Sequence, residues 1–102
     1  MSKKSETIDL EVSRVIKVVS PLNGVFSVHM LSDNISESTA WTLEGSADGT
    51  NWDTMQESGS DIGDTLVVDV PMLKSFEVDA GLYFRINFAG STTGDVAYII
   101  NS

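Results

Sequence analysis

The chain has no cysteine. Disulfides, thiolate nucleophiles and cysteine-ligated zinc are therefore outside its chemistry. It has one histidine, His29, so a histidine-rich metal site is excluded too. A Ser-His-Asp mechanism fails on the same inventory, because His29 sits among strand residues with no assignable acid partner. No run of about 18 apolar residues is present, and no membrane-spanning helix is expected. The N-terminus, Met1-Ser-Lys-Lys-Ser-Glu, lacks the apolar stretch of a secretory signal, so the expectation is a chain made in a cytoplasm.

Bases are also scarce. Six Lys and Arg stand against fifteen Asp and Glu, a net charge of -9. The imbalance is uneven. Residues 1–17 hold four bases against three acids, net +1, and residues 18–102 hold two bases against twelve acids, net -10. Such a body is poorly suited to a phosphate backbone, whose binding needs Lys and Arg to displace counterions. No nucleic-acid or membrane partner is expected.

What is present is alternation. Ile8, Leu10 and Val12 share one face of a strand over residues 7–13, and a β-branched run over 14–19 either adds a strand or crosses between sheets near Ser13–Arg14. Ser20-Pro-Leu-Asn-Gly24 reads as a turn. Residues 25–31 form a strand with Phe26, Val28 and Met30 inward and His29 outward, followed by a polar loop over 32–38. Trp41 and Leu43 point inward from a strand over 39–46. A turn at 47–51, a short return strand over 52–56 and a long polar loop over 57–64 come next. Residues 65–70 place Leu66, Val68 and Val70 on one face, and Pro71 ends that strand. Phe76 and Val78 mark a short edge strand. Residues 82–89 alternate clearly, with Leu82, Phe84, Ile86 and Phe88 inward and Tyr83, Arg85 and Asn87 outward. Residues 96–100 close the set.

No segment holds a 3.6-residue period. The expected fold is all-β, an antiparallel β-sandwich or jelly roll of about seven or eight short strands. The expected organisation is a flexible arm over 1–6 and one sandwich domain over 7–102.

Catalysis finds no support. Fifteen acids make some carboxylate pair inevitable, so pairing alone points to no glycosidase. Asp48, Asn51 and Asp53 offer oxygens to a hard cation, but their spacing is not that of an EF-hand. The expected role of Asp48 is a side-chain turn beside Gly49. No cofactor is implied.

Trp41-Thr-Leu-Glu-Gly-Ser-Ala-Asp-Gly-Thr-Asn-Trp52 resembles a W-x-x-x-G-S-x-D-G-x-x-W hairpin of small virion proteins of tailed bacteriophages. It is also similar to the Ser-x-Asp-Gly-x-x-Trp hairpin of discoidin-like and carbohydrate-binding β-sandwiches. In this reading Ser46 ties the strand end to the loop and Trp52 caps the core edge. Gly81-Leu-Tyr-Phe-Arg-Ile-Asn-Phe and Val96-Ala-Tyr-Ile-Ile look like the final hairpin of the same sandwiches. The resemblance covers residues 39–101. Discoidin-type domains are larger, usually secreted and often disulfide-bonded, which this chain does not match.

The resemblance implies a non-enzymatic capsid decoration or cement protein on the virion exterior, made in the host cytoplasm. Its implied partner is the major capsid protein, and a homo-oligomer, trimer favoured, is expected. The expected contacts are Lys3, Lys4, Ile8, Leu22, Ile35, Met72, Leu73, Tyr83 and Arg85. The alternative is a carbohydrate-binding module of a phage tail or fibre, with or without calcium dependence, with Trp52 and Tyr83 as exposed aromatics.

Overall fold

The computed structural model describes residues 3–18, 25–78, 82–90 and 92–101. Their regular elements are all strands: β1 (Lys3–Asp9), β2 (Val15–Val18), β3 (Val25–Ile35), β4 (Thr39–Ser46), β5 (Asp53–Thr54), β6 (Gln56–Glu57), β7 (Ser60–Asp61), β8 (Gly63–Leu66), β9 (Met72–Glu77), β10 (Tyr83–Phe88) and β11 (Gly94–Asn101). Every pairing is antiparallel. The first sheet runs β1-β11-β3-β9. The second runs β2-β10-β4, and the far side of β4 is shared by β8, against Thr39–Thr42, and β5, against Glu44–Gly45. This is the antiparallel β-sandwich that the alternation predicts.

The period of two builds the core. Phe26, Val28 and Met30 of β3 and Val96, Tyr98 and Ile100 of β11 are buried from one side. Trp41 and Leu43 of β4 and Phe84, Ile86 and Phe88 of β10 are buried from the other. Phe26 joins the two layers. Its ring centroid lies 5.0 Å from Phe76 in its own sheet and 5.6 Å from Phe84 in the opposite one. Trp41 meets Phe76 edge-on at 6.0 Å. Such tilted and edge arrangements match the positive rim of one ring to the negative face of the next.

The chain changes sheets between β1 and β2, earlier and more sharply than the alternation implies. β1 stops at Asp9. Its carbonyl accepts from the Val12 and Ser13 amides, each at 3.0 Å, and its carboxylate accepts from the Glu11 amide at 2.9 Å. Leu10 stays buried while Val12 is 83% exposed, so Val12 does not share the inward face with Ile8 and Leu10. Arg14 fastens this corner. Its guanidinium donates to the carbonyls of Phe88 (3.2 Å), Leu10 (3.4 Å), Thr92 (2.8 Å) and Ala89 (2.8 Å). One planar group with five donors thus serves the crossing and the chain leaving β10.

Residues 3–6 are the first half of an edge strand, not an arm outside the sandwich. Lys3, Lys4, Ser5 and Glu6 pair with Asn101, Ile100, Ile99 and Tyr98. The Tyr98 hydroxyl donates to Glu6 at 3.1 Å. Burial first, and the Glu6 acceptor second, push this phenol up to about 12.

Three further differences have local causes. β3 continues through the expected loop to Ile35, because one extra residue bulges between the Asp95–Asn34 and Ala97–Leu31 pairs. That bulge shifts the alternation by one, so Ile35 faces the core. Buried Ser32 also holds the 67–70 turn. Its hydroxyl lies 2.6 and 2.9 Å from the Val67 and Val70 carbonyls and accepts from the Val70 amide at 3.1 Å. The expected strand over 65–70 therefore ends at Leu66, and Val70 is 53% exposed. Finally, the expected 57–64 loop contains a hairpin, β6–β7, turned by Ser58 (φ 53°) and Gly59 (φ 82°). Two successive positive φ values suit a tight hairpin turn.

Replacing Arg14 with alanine removes the donors at this corner. The expected loss is about 2–4 kcal/mol, read from the urea midpoint, since hydrogen bonds from a charged group contribute more than neutral ones. Arg14→Lys is expected to recover less than half of it, because an ammonium cannot span four carbonyls set for a planar fork.

Candidate functional site

With the inner faces filled by the core, outward side chains lie on the two outer faces, the edges and the turns. On the second sheet, β10 sends Tyr83, Arg85 and Asn87 outward beside Glu44 and Thr42 of β4. Arg85 Nε donates to Glu44 Oε1 at 2.5 Å, and Asn87 Nδ2 donates to Glu44 Oε2 at 3.4 Å. The Arg85 guanidinium carbon also lies 4.4 Å from the centre of the Trp52 ring, within range of a cation–π contact. Trp52 thus stands on this outer face; it does not cap the core edge. Arg85 is held from both sides by its own chain.

The adjoining turn is equally self-contained. Asp48 Oδ1 accepts from Ser46 Oγ (2.9 Å), the Thr50 amide (2.8 Å) and the Asn51 amide (2.8 Å), and Oδ2 accepts from Asn51 Nδ2 at 2.6 Å. Ser46 Oγ accepts in turn from the Gly49 amide at 2.8 Å. Gly49 has φ +78°, and Tyr83 packs its ring over it. Donors directed at Asp48, the Asn51 and Thr50 amides first, hold its carboxyl well below the usual carboxylate range. Both carboxylate oxygens of Asp48 are thus engaged within this turn.

The outer face of the first sheet is different in kind. Register places Ser5, Ile99, His29 and Leu73 in one row across its four strands. Lys3, Asn101, Ser27 and Ser75 form the row on one side, and Thr7, Ala97 and Leu31 the row on the other. None of these eleven residues is acidic, on a chain with fifteen acids. Asp9 and Asp95 begin only beyond the Thr7 row, and Glu77 lies opposite Val25 at the other end. Leu73 is 71% and Leu31 39% exposed.

The nine expected contact residues are thus divided. Leu73 and Lys3 lie on this first-sheet face. Tyr83 and Arg85 lie on the opposite outer face. Ile8 and Ile35 are in the core, which leaves them little side-chain surface for a partner. In each case the inward phase of the strand places them there. Met72 is half-buried against the core. Lys4 is exposed, with Nζ 3.7 Å from Glu6. Leu22 lies outside the described residues. Leu31 and Ile99 were not among the expected contacts. Their signal is a large apolar residue at an outward position of an alternating strand.

Asp48→Asn tests the electrostatics of the turn. The folded carboxyl titrates below its unfolded value, so its ionised form stabilises the fold above about pH 4 and that contribution is lost as pH falls below it. The stability gap between wild type and Asp48→Asn is therefore expected to be widest at neutral pH and to close under acid, as followed by thermal melts across pH. No protein-family model, curated protein or solved structure matches this chain.

Proposed function

We propose that this chain is a non-enzymatic decoration or cement protein of a bacteriophage capsid, docking the outer face of its first sheet on the virion exterior. Its partner is the major capsid protein of the same virion, and it acts as a homo-oligomer, with a trimer favoured. The observation that carries this reading is the acid-free, partly apolar face around Leu31, Leu73, Ile99 and His29 on an otherwise acidic body. Leu73 and Leu31 are exposed on this face, and exposed apolar side chains gathered on one face of a small domain suit an interaction site.

Two other features support the reading. The hairpin between Trp41 and Trp52 resembles that of small tailed-phage virion proteins. The eight longer strands, counted in chain order, lie as 1-8-3-6 in one sheet and 2-7-4-5 in the other. That order supports a jelly roll, an architecture used by capsid and lectin domains, although fold alone does not assign function. The carbohydrate alternative is weaker, because one face of Trp52 is taken by Arg85. A protein that binds only the assembled shell stabilises it by mass action.

Co-sedimentation with purified heads at micromolar protein tests the proposal. Wild type is expected in the pellet. The double substitution Leu31→Glu/Leu73→Glu is expected to weaken binding at least tenfold while leaving the melting temperature near wild type, since both side chains are exposed. Tyr83→Ala is expected to bind as wild type. Loss of binding with Tyr83→Ala and retention with the double variant would place the contact on the wrong face.

A further inference from the structure

Among the described residues the first sheet has two open edges, and they are built differently. β1 carries Lys3, Lys4, Glu6 and Asp9 along its length, every one of them exposed. Charge of this kind discourages pairing with another strand. β9 is the other edge. Among the described residues it pairs with β3 alone, and none of Met72–Glu77 takes part in a backbone hydrogen bond outside the β3 ladder. A cleft of about 760 Å³ lies between this edge and the β6–β7 hairpin. Met55, Ile62, Phe76 and Val78 give it an apolar lining, and Glu57 and Glu77 stand at its sides. A second hollow of about 350 Å³ runs on along the hairpin past Glu57 and Asp61. The one base in both, Lys74, is already matched by Asp64 at 3.3 Å. The cleft therefore joins a free strand edge, an apolar floor and net negative walls, at a size within the usual range of binding pockets.

We infer that this cleft receives an extended basic segment of a partner protein, which adds to the first sheet as a fifth strand beside β9. Alternate side chains of such a segment point to opposite sides. One set enters the cleft against Met55, Ile62 and Val78. The other set, carrying Lys or Arg, lies beside Glu77 on the outer face. Backbone hydrogen bonds to β9 supply affinity, and the cleft selects the apolar side chains. The site borders the proposed head-binding face, since β9 also carries Leu73, and it is tested without heads.

The probe is a capped hexapeptide of alternating Lys and Val. Binding is followed by calorimetry and by amide hydrogen exchange of the intact chain. The expected result is saturable binding that slows exchange at Met72–Glu77. A peptide with proline replacing the central residues, which removes donors but keeps most charge, is expected to bind at least tenfold more weakly. The double variant Glu57→Lys/Glu77→Lys, altered only at exposed positions, is expected to lose at least tenfold while melting as wild type. Equal binding of the proline peptide reduces the effect to charge attraction and overturns the proposal. So does full binding by the charge-reversed variant, or protection confined to β1. A dimer whose β9 amides are protected before peptide is added assigns the edge to a second copy and overturns it as well.

Discussion

The packing of Phe26 between Phe76 and Phe84 joins the two sheets, and the rest of the molecule is arranged around it. Phe26 and Phe76 belong to the first sheet and Phe84 to the second. The stack fixes how the inner faces meet, and Trp41 extends it toward the side of the sandwich where β8 lies. Once these rings are placed, alternation leaves little choice for the remaining strands. A one-residue slip in β3, β4 or β10 would turn a large apolar side chain outward and a polar one inward. Full burial of side chains of this size contributes about 1.5–3 kcal/mol each, which is large beside the marginal net stability of a small domain.

Because the core takes up the inner faces, the two outer faces carry different amounts of unspent interaction. On the second sheet, Arg85, Glu44, Asn87 and Trp52 satisfy one another. Asp48 likewise spends its oxygens on its own turn. A partner docking there would have to displace internal contacts. The three central rows of the first sheet's outer face offer hydroxyls, amides and apolar side chains with no acid among them, and Asp9, Asp95 and Glu77 stand only at its ends. The net charge of -9 opposes nonspecific self-association through like-charge repulsion.

The fold was legible where alternation is uninterrupted. β10 reads directly from Leu82 to Phe88, and His29 reads as outward from its neighbours. The sequence fails where one residue changes the phase. The bulge at the end of β3 is invisible because Ser32-Asp-Asn looks like loop, yet Ser32 is buried and Ile35 is core. Val12 and Val70 look like strand interior, but turns held by Asp9 and Ser32 remove them from the ladders. Lys3 and Lys4 look like a solvated tail, and only register with β11 shows them as strand. The candidate site was harder. Tyr83 and Arg85 were visible as outward residues. The stack of Arg85 on Trp52 joins positions far apart in sequence, and the acid-free face is assembled from four strands. Neither arrangement has a local signature.

The central claim is that the face bearing Leu31, Leu73 and Ile99 is the one that meets the capsid. Hydroxyl-radical footprinting of the chain, free and bound to heads, reads both outer faces in one sample. The account predicts that oxidation at Leu31 and Leu73 falls severalfold on binding while oxidation at Tyr83 stays the same. Protection of Tyr83 with Leu31 and Leu73 still fully reactive would contradict it.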